Sequence, residues 1–246
     1  MNIKMSIFSQ NLTINYSDVD SNNKVTNKGI LRLMQEVAGC HSGSLGFGVN
    51  DIPKTHLAWI ILNWKLKVFS RPHTNAPITV KTWVRSKNPL FCYRDFEIVD
   101  NNSNLIAVAS SKWILFDVNK KGITRLPKEV VEKYEYEDKF AFNEPWNEKI
   151  KEPKNSNFAM NYKVQRRDID TNNHVNNLYY LDYAYEALPE EIYNISFPNV
   201  EIMYIREAKL GDTLSIFYSE LDNKEYVVTI KDKECKIIHA IIKLST

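Results

Sequence analysis

Glycine is scarce in this chain. Its 246 residues include seven glycines, and four of those sit in one stretch, Gly39-Cys40-His41-Ser42-Gly43-Ser44-Leu45-Gly46-Phe47-Gly48. Glycine lets a backbone turn freely or approach a ligand closely, so this stretch is expected to end a helix in a loop. The lysine pattern of a phosphate loop is missing from it. Cysteine is scarcer still. Cys40, Cys92 and Cys235 are too few and too scattered for a disulfide framework or a zinc cluster. With the other ligand residues also dispersed, no metal site and no cofactor are expected. Net charge is only +2, which excludes the large field of a nucleic-acid binder, and no helix-turn-helix segment is evident. Long apolar runs are absent too. The start, Met-Asn-Ile-Lys-Met-Ser-Ile-Phe-Ser-Gln-Asn, reads as neither a signal peptide nor an organelle transit peptide, and no stretch suits a membrane span. A reducing cytosol is the default compartment. Hydrophobic residues make up 43% of the chain, enough for a packed core, and the length suits two ordinary domains or one large one.

What the chain does have is one dense polar stretch, Asp168-Ile169-Asp170-Thr171-Asn172-Asn173-His174-Val175-Asn176-Asn177, followed at once by an apolar helical pattern. A polar loop feeding a helix N-terminus presents unpartnered N–H groups and a dipole that favours negative charge. Such a place can hold an oxyanion or a carbonyl oxygen. An Asn-rich capping loop with an exposed His has the same composition. A shift of 150 residues lays this stretch on a faded copy of itself: Asp18, Asp20, Asn22, Asn23, Val25 and Asn27 fall on Asp168, Asp170, Asn172, Asn173, Val175 and Asn177. His174 falls on Lys24. The chain is therefore an internal duplication in which one copy keeps an imidazole able to exchange protons near neutral pH.

Each copy reads as strand, loop, helix, then antiparallel strands. In the first, a strand at 6–16 leads to a helix at about 28–39 capped by Asn27. Strands follow at 57–69, 78–85, 91–99 and 105–118, separated by turn chemistry at 71–77, 86–89 and 100–104. In the second, a strand at 161–166 leads to a helix at 177–188 ending at Pro189. Strands follow at 199–206, 213–219, 225–231 and 236–244, with turns at 210–212 and 221–224. The charged, proline-bearing segment between them reads as an exposed connector with a short helix near 128–134. This gives domains at 1–125 and 161–246 with a connector at 126–160. The fold class is α+β. A sheet with one apolar face must cover it, and one central helix wrapped by each sheet is the economical solution. Two such halves are expected to pair as a pseudo-dimer within one chain.

The arrangement resembles the tandem hotdog fold of the acyl-[acyl carrier protein] thioesterases of bacteria and plants. In the first half the resemblance rests on Tyr16-Ser17-Asp18-Val19-Asp20, Ala58-Trp59-Ile60, Thr82-Trp83, Arg94-Asp95-Phe96 and Trp113-Ile114-Leu115. In the second it rests on the Asp168–Asn177 stretch and on Tyr204-Ile205-Arg206-Glu207. It implies hydrolysis of acyl-carrier-protein thioesters in fatty acid biosynthesis, with Asp170, Asn172, His174 and Glu207 as the catalytic set. Many plant members have a Cys after the Glu; here Ala208 stands there, so no thiol nucleophile is available. Plant members also carry an aromatic before the motif, where this chain has Arg166-Arg167.

The residues fit that chemistry. His174 can act as a base near neutrality. Glu207 can share that task or orient the same water. Asn172 can position the water or donate to the carbonyl. N–H groups at the start of the second helix can stabilise the oxyanion, each such donor being worth about 3 kcal/mol elsewhere. Asp170 either orients its neighbours or attacks the thioester directly to form an anhydride, as proposed for related hotdog thioesterases. Other readings exist for several of these residues. Glu207 beside Arg206 also fits a surface ion pair, Asp168 a cap, Asn176 and Asn177 loop and cap groups. A Cys40–His41 dyad is rejected, because adjacent residues rarely face each other. Met34, Val37, Trp59 and Trp64, with Trp83 and Trp113, fit either an acyl-chain pocket in the first half or plain core. Lys163, Arg166 and Arg167 fit a contact for an acidic carrier protein or an ordinary solvated strand edge. The competing functions are an acyl-CoA thioesterase of the same fold and a non-catalytic acyl-thioester-binding regulator. Monomer and homodimer, and all acyl chain lengths, stay open.

Overall fold

The computed structural model describes residues 6–85, 88–221 and 224–246. The expected turns at 86–89 and 221–224, and the first residues of the N-terminal reading, fall partly outside that range. The chain forms two compact units, one of Met1–Leu62 and Leu66–Pro145, the other of Asn63–Lys65 and Trp146–Thr246. Among the described residues, no helix is long and apolar enough to cross a membrane.

The first unit runs β1 (Ile7–Thr13), α1 (Asn27–Ser44), α2 (Ile52–Thr55), β2 (Leu57–Val68), β3 (Pro77–Val84), β4 (Cys92–Asp100), β5 (Leu105–Asp117), β6 (Gly122–Thr124) and α3 (Lys128–Lys133). Its sheet has the order β1-β3-β4-β5-β2, with β6 on β5. The pairs β1/β3, β3/β4, β4/β5 and β5/β6 are antiparallel. Helix α1 lies against β1 and β3 and buries Ile30, Leu31, Leu33, Met34, Val37 and Ala38. That spacing is one face of a 3.6-residue helix.

Helix α1 differs from expectation at both ends. Its N-cap is Thr26, whose hydroxyl accepts from the Gly29 N–H at 2.9 Å. Its C-terminal part includes Gly39, Cys40, His41, Ser42 and Gly43, the segment expected to be loop. Helical glycines cost about 1 kcal/mol each, but His41 and Ser42 are buried and continue the packed face begun by Met34 and Val37. The turn comes later, at Gly46, where φ is +80°. Gly48 serves close approach: a Cβ on it would lie 2.8 Å from the Gly43 Cα.

The expected connector is not all exposed. Residues to Pro145 belong to the first unit. Val130 of α3 and Tyr134 pack in a core cluster with Phe47, Leu57, Val84, Cys92 and Leu115. The bare charge count of 126–160 hid these two anchors.

His41 is buried and Cys40 exposed, so the two point apart as expected. The His41 ring stacks on Phe8 with centroids 5.0 Å apart, and its Nδ1 takes a hydrogen bond from the buried Arg94 at 3.0 Å. Burial, and then the Arg94 charge, push the imidazole down to about 3. Unfolded histidine titrates near 6.5, so between those values the unfolded chain holds one more proton. Stability therefore falls as pH falls through that window, by up to about 1 kcal/mol per unit. Urea melts between pH 7 and pH 5 should show this slope. His41→Gln, which keeps an acceptor for Arg94, should flatten it; an unchanged slope would remove His41 as its source.

The second unit runs β7 (Asn157–Lys163), α4 (Tyr179–Glu186), β8 (Asn199–Tyr204), β9 (Thr213–Leu221), β10 (Glu225–Asp232) and β11 (Ile238–Ser245). The sheet order is β8-β11-β10-β9-β7, with α4 against β10 and β11. Helix α4 is shorter than the expected 177–188. Asn176 forms a turn instead: its side-chain oxygen accepts from Leu178 N at 3.0 Å and its carbonyl from Tyr179 N at 3.0 Å. The helix then starts two residues later than in the first copy.

Candidate active site

The two polar loops have the same backbone. In the second copy Asp168 Oδ2 accepts from Gln165 N at 2.7 Å, and Asp168 O accepts from Asn176 N at 2.8 Å. Asp170 N donates to His174 O at 2.9 Å, and Asn173 N to Asp170 O at 3.1 Å. In the first copy Asp18 Oδ2 accepts from Asn15 N at 3.0 Å, and Asp18 O from Thr26 N at 2.8 Å. Asp20 N donates to Lys24 O at 2.9 Å, and Asn23 N to Asp20 O at 2.9 Å. Both loops turn at an asparagine in the left-handed region, Asn23 at φ 58° and Asn173 at φ 62°, which Asn tolerates better than most residues. Asp168 is thus a capping residue, and Asn176 holds the turn before α4.

Four candidate residues gather on this frame. His174 Nε2 lies 3.2 Å from Glu207 Oε1, with the imidazole 30% and the carboxylate 53% exposed. Glu207 follows β8, and the register is set by a backbone bond from Val175 N to Ala208 O of 2.9 Å. Each residue of the pair stands one position before a partner in that bond. Glu207 Oε1 also lies 3.8 Å from Lys209 Nζ, so its ionic neighbours are His174 and Lys209, not the Arg206 that adjacency suggests. Asp170 Oδ1 accepts from Asn172 N at 2.8 Å. Its carboxylate therefore shapes the backbone that carries the exposed Asn172 side chain. Of the expected oxyanion donors at the start of the second helix, Leu178 N and Tyr179 N both bond to Asn176. Among the described residues no cluster of His, Cys, Asp and Glu has the makings of a metal site.

The first copy has lost both members of the pair. Its matching backbone bond runs from Val25 N to Pro72 O at 3.0 Å. Lys24 therefore stands where His174 does, and Arg71 where Glu207 does. Arg71 is turned to support, donating to Val25 O at 2.9 Å and to Asn27 Oδ1 at 2.7 Å.

The candidate pocket residues fall into three settings. Met34 and Val37 are fully buried on α1. Trp59 packs in the Phe47–Tyr134 cluster, its ring centroid 6.0 Å from that of Tyr134. Trp64, expected in the first half, is fully buried and groups with the second unit. Lys163, Arg166 and Arg167 are all exposed at the end of β7 and in the 3-10 turn after it. The Arg167 guanidinium is drawn to the Tyr162 hydroxyl, which raises its pKa, with Asp168 adding to the effect.

Sequence reasoning missed a set of buried and half-buried polar groups beneath the loop. Tyr162 OH donates to Asp168 Oδ2 at 2.8 Å, Tyr204 OH donates to Asn177 O at 2.9 Å, and Tyr180 OH accepts from Ala208 N at 3.1 Å. His239 Nδ1 is 3.1 Å from both Arg206 O and Glu207 O. Carbonyls only accept, so the ring carries its proton on Nδ1. Tyr180 on an apolar helix face, and Tyr162 and Tyr204 on strands, read as core, and His239 lies on β11, remote in sequence from the loop.

Fold and loop geometry together define a tandem hotdog protein in which one copy holds a His–Glu pair and the other does not. The family model for the acyl-ACP thioesterase N-terminal domain matches residues 5–134, and that for the acyl-ACP thioesterase C-terminal domain matches residues 151–244. The chain belongs to the acyl-ACP thioesterase family. It is 28% identical over 225 residues to oleoyl-acyl carrier protein thioesterase 2, chloroplastic, of Arabidopsis thaliana, an alignment covering 84% of this chain and 61% of that relative. The chain thus spans about three fifths of the length of the plant relative. Among solved structures it resembles an acyl-ACP thioesterase from Bacteroides thetaiotaomicron, with TM-score 0.80 and 23% identity, covering 98% of this chain and 97% of that one. It also resembles the 12:0-ACP thioesterase from Umbellularia californica, with TM-score 0.81 and 18% identity over 100% and 98% of the two chains.

Proposed function

We propose that this protein hydrolyses acyl-[acyl carrier protein] thioesters to free fatty acid and holo-carrier protein in fatty acid biosynthesis. The observation that carries this reading is the His174–Glu207 pair at 3.2 Å, in a family whose relatives are named as such thioesterases. Glu207 and His174 take a proton from water as it adds to the thioester carbonyl. The Asn172 side chain, free of the loop's own backbone bonds, donates to the developing oxyanion. The C–S bond then breaks, and the carrier's thiolate leaves and takes up a proton. Asp170 acts by shaping the loop, which favours attack by water over attack by Asp170. Met34 and Val37, with Trp59 and Trp64 as further candidates, serve the acyl chain. The three free cysteines suit the cytosolic placement.

The deciding measurement is thiol release from acyl carrier protein and from CoA carrying the same acyl chain. Faster turnover on the carrier supports the proposal. Faster turnover on CoA makes the protein an acyl-CoA thioesterase, and tight binding without release makes it a regulator.

The carrier contact is proposed to be Lys163, Arg166 and Arg167. Steered association weakens as salt rises, because the screening length is about 8 Å at physiological ionic strength. Changing all three to Gln should lower kcat/KM on acyl carrier protein several-fold and flatten its salt dependence. It should leave kcat and the hydrolysis of a carrier-free mimic unchanged. Equal losses on both substrates would assign these residues to the loop. No loss would move the carrier surface elsewhere, to Lys65, Lys67 and Arg71 as the next candidates.

A further inference from the structure

We propose that Tyr180 and His239 are positioning residues that hold the backbone of Glu207 so that its carboxylate meets His174. This rests on the hydrolase reading of the same site. Glu207 is half exposed and follows the last residue of β8 by three positions, where a chain would ordinarily be free to fray. Instead the segment is held from both sides. His239 donates to the carbonyls of Arg206 and Glu207, and Ile205 N and Arg206 N donate back to His239 O at 2.9 and 3.2 Å. Tyr180 OH accepts from Ala208 N, and Ala208 O accepts from Val175 N. The carboxylate is thus carried on a peptide whose neighbours have their polar groups engaged.

The duplication supplies an internal control. In the first copy Phe69 N and Ser70 N donate to Ile106 O at 2.8 and 3.3 Å, so Ile106 stands where His239 does. The matched loops put Ile30 where Tyr180 is, Leu33 at Tyr183 and Leu12 at Tyr162. The matched strand ends put Val68 at Tyr204. The frame therefore folds with aliphatic side chains at all these places. Buried hydroxyls and imidazoles destabilise unless they are hydrogen-bonded, so in the copy that keeps the acid–base pair Tyr180 and His239 depend on the bonds they make, a requirement the other copy avoids. Tyr162 bonds Asp168 Oδ2, Tyr204 bonds Asn177 O, and Tyr180 and His239 bond the 206–208 backbone, all in the loop or beside Glu207. Burial raises the Tyr180 and Tyr204 hydroxyls well above the usual tyrosine range, so both remain neutral hydrogen-bonding groups. Tyr180 and Tyr204 further fix one another edge to face, with ring centroids 5.8 Å apart.

The test uses Tyr180→Phe and His239→Leu, with His239→Asn as the conservative variant whose amide can still donate. Each of the first two should lower kcat on the order of tenfold with KM unchanged, and His239→Asn should recover most of the loss. In a Glu207→Gln background the same changes should cost less than about twofold, because the group they position is gone. Equal losses in both backgrounds would make the two residues merely structural and overturn the proposal, as would full activity in Tyr180→Phe. A readout independent of turnover is the ¹⁵N imidazole spectrum. The His174 Nε2 signal of Tyr180→Phe should move toward that of Glu207→Gln, and the Ala208 amide should lose protection from exchange. Should the wild type release no thiol from any acyl thioester, the hydrolase reading falls. The spectra then still decide the positioning, and an unmoved His174 signal with a protected Ala208 amide would end it.

Discussion

His174→Ala is expected to lower turnover at least about 100-fold, because general-base contributions run about 10²–10⁴. The loop should survive the change. Its backbone bonds use the His174 carbonyl, which accepts from Asp170 N, and the Val175 N–H, and neither depends on the imidazole. The ring is 30% exposed and its one polar partner among the described residues is Glu207, so its removal falls in the range of surface substitutions, within about 0.5 kcal/mol. The two quantities to measure are thiol release with saturating acyl carrier protein and the apparent Tm. A folded variant with near-normal turnover would remove His174 from the chemistry. A large fall in Tm would mean the imidazole also braces the loop, contrary to its exposure.

Gly29→Ala should produce the largest loss of stability. A Cβ there would lie 2.5 Å from the Asp18 carbonyl oxygen and 2.9 Å from the Asp18 Cβ. The carbonyl cannot retreat easily, since it accepts from Thr26 N at 2.8 Å and Thr26 Oγ1 at 3.1 Å. Overpacking of this kind costs about 1–3 kcal/mol, and each kcal/mol lowers Tm by roughly 2–4 °C at this chain length. A fall of about 2–12 °C in a thermal melt is therefore expected. An unchanged Tm would mean that α1 can start further from Asp18. The second copy shows the alternative: with its helix delayed to Tyr179, it has no need of glycine at the matching place and carries a tyrosine there.

The candidate loop was legible because its residues are local. Asp168 to Asn177 fix their own turn, and a constant shift of 150 found their copy at once. The strands were legible from alternation and turn chemistry, to within a few residues at each end. What was hidden lay across variable spacing. Arg71, the counterpart of Glu207, is displaced from it by 136 residues rather than 150, since α1 and α2 occupy more chain than α4. Only the paired bonds Val25–Pro72 and Val175–Ala208 reveal it. The glycine-rich segment misled for a different reason. Intrinsic propensity argues against helix at Gly39 and Gly43, but tertiary packing of His41 and Ser42 decides it. Tyr180 and His239 carry no local signal at all, because their partners are backbone groups of distant residues.

The backbone bond that ties Val175 to Ala208, and its twin from Val25 to Pro72, separate the seats from their occupants. Distance between the two seats is set by main chain, which substitution leaves alone, while the identity of each occupant is free to drift. That is why one half can hold a His–Glu pair and the other two cations on a common chassis. It also makes the first half a vacant workbench. A new pair installed at Lys24 and Arg71, with its own buried braces at Ile30 and Ile106, would meet a spacing already built, and the resident pair would keep its frame.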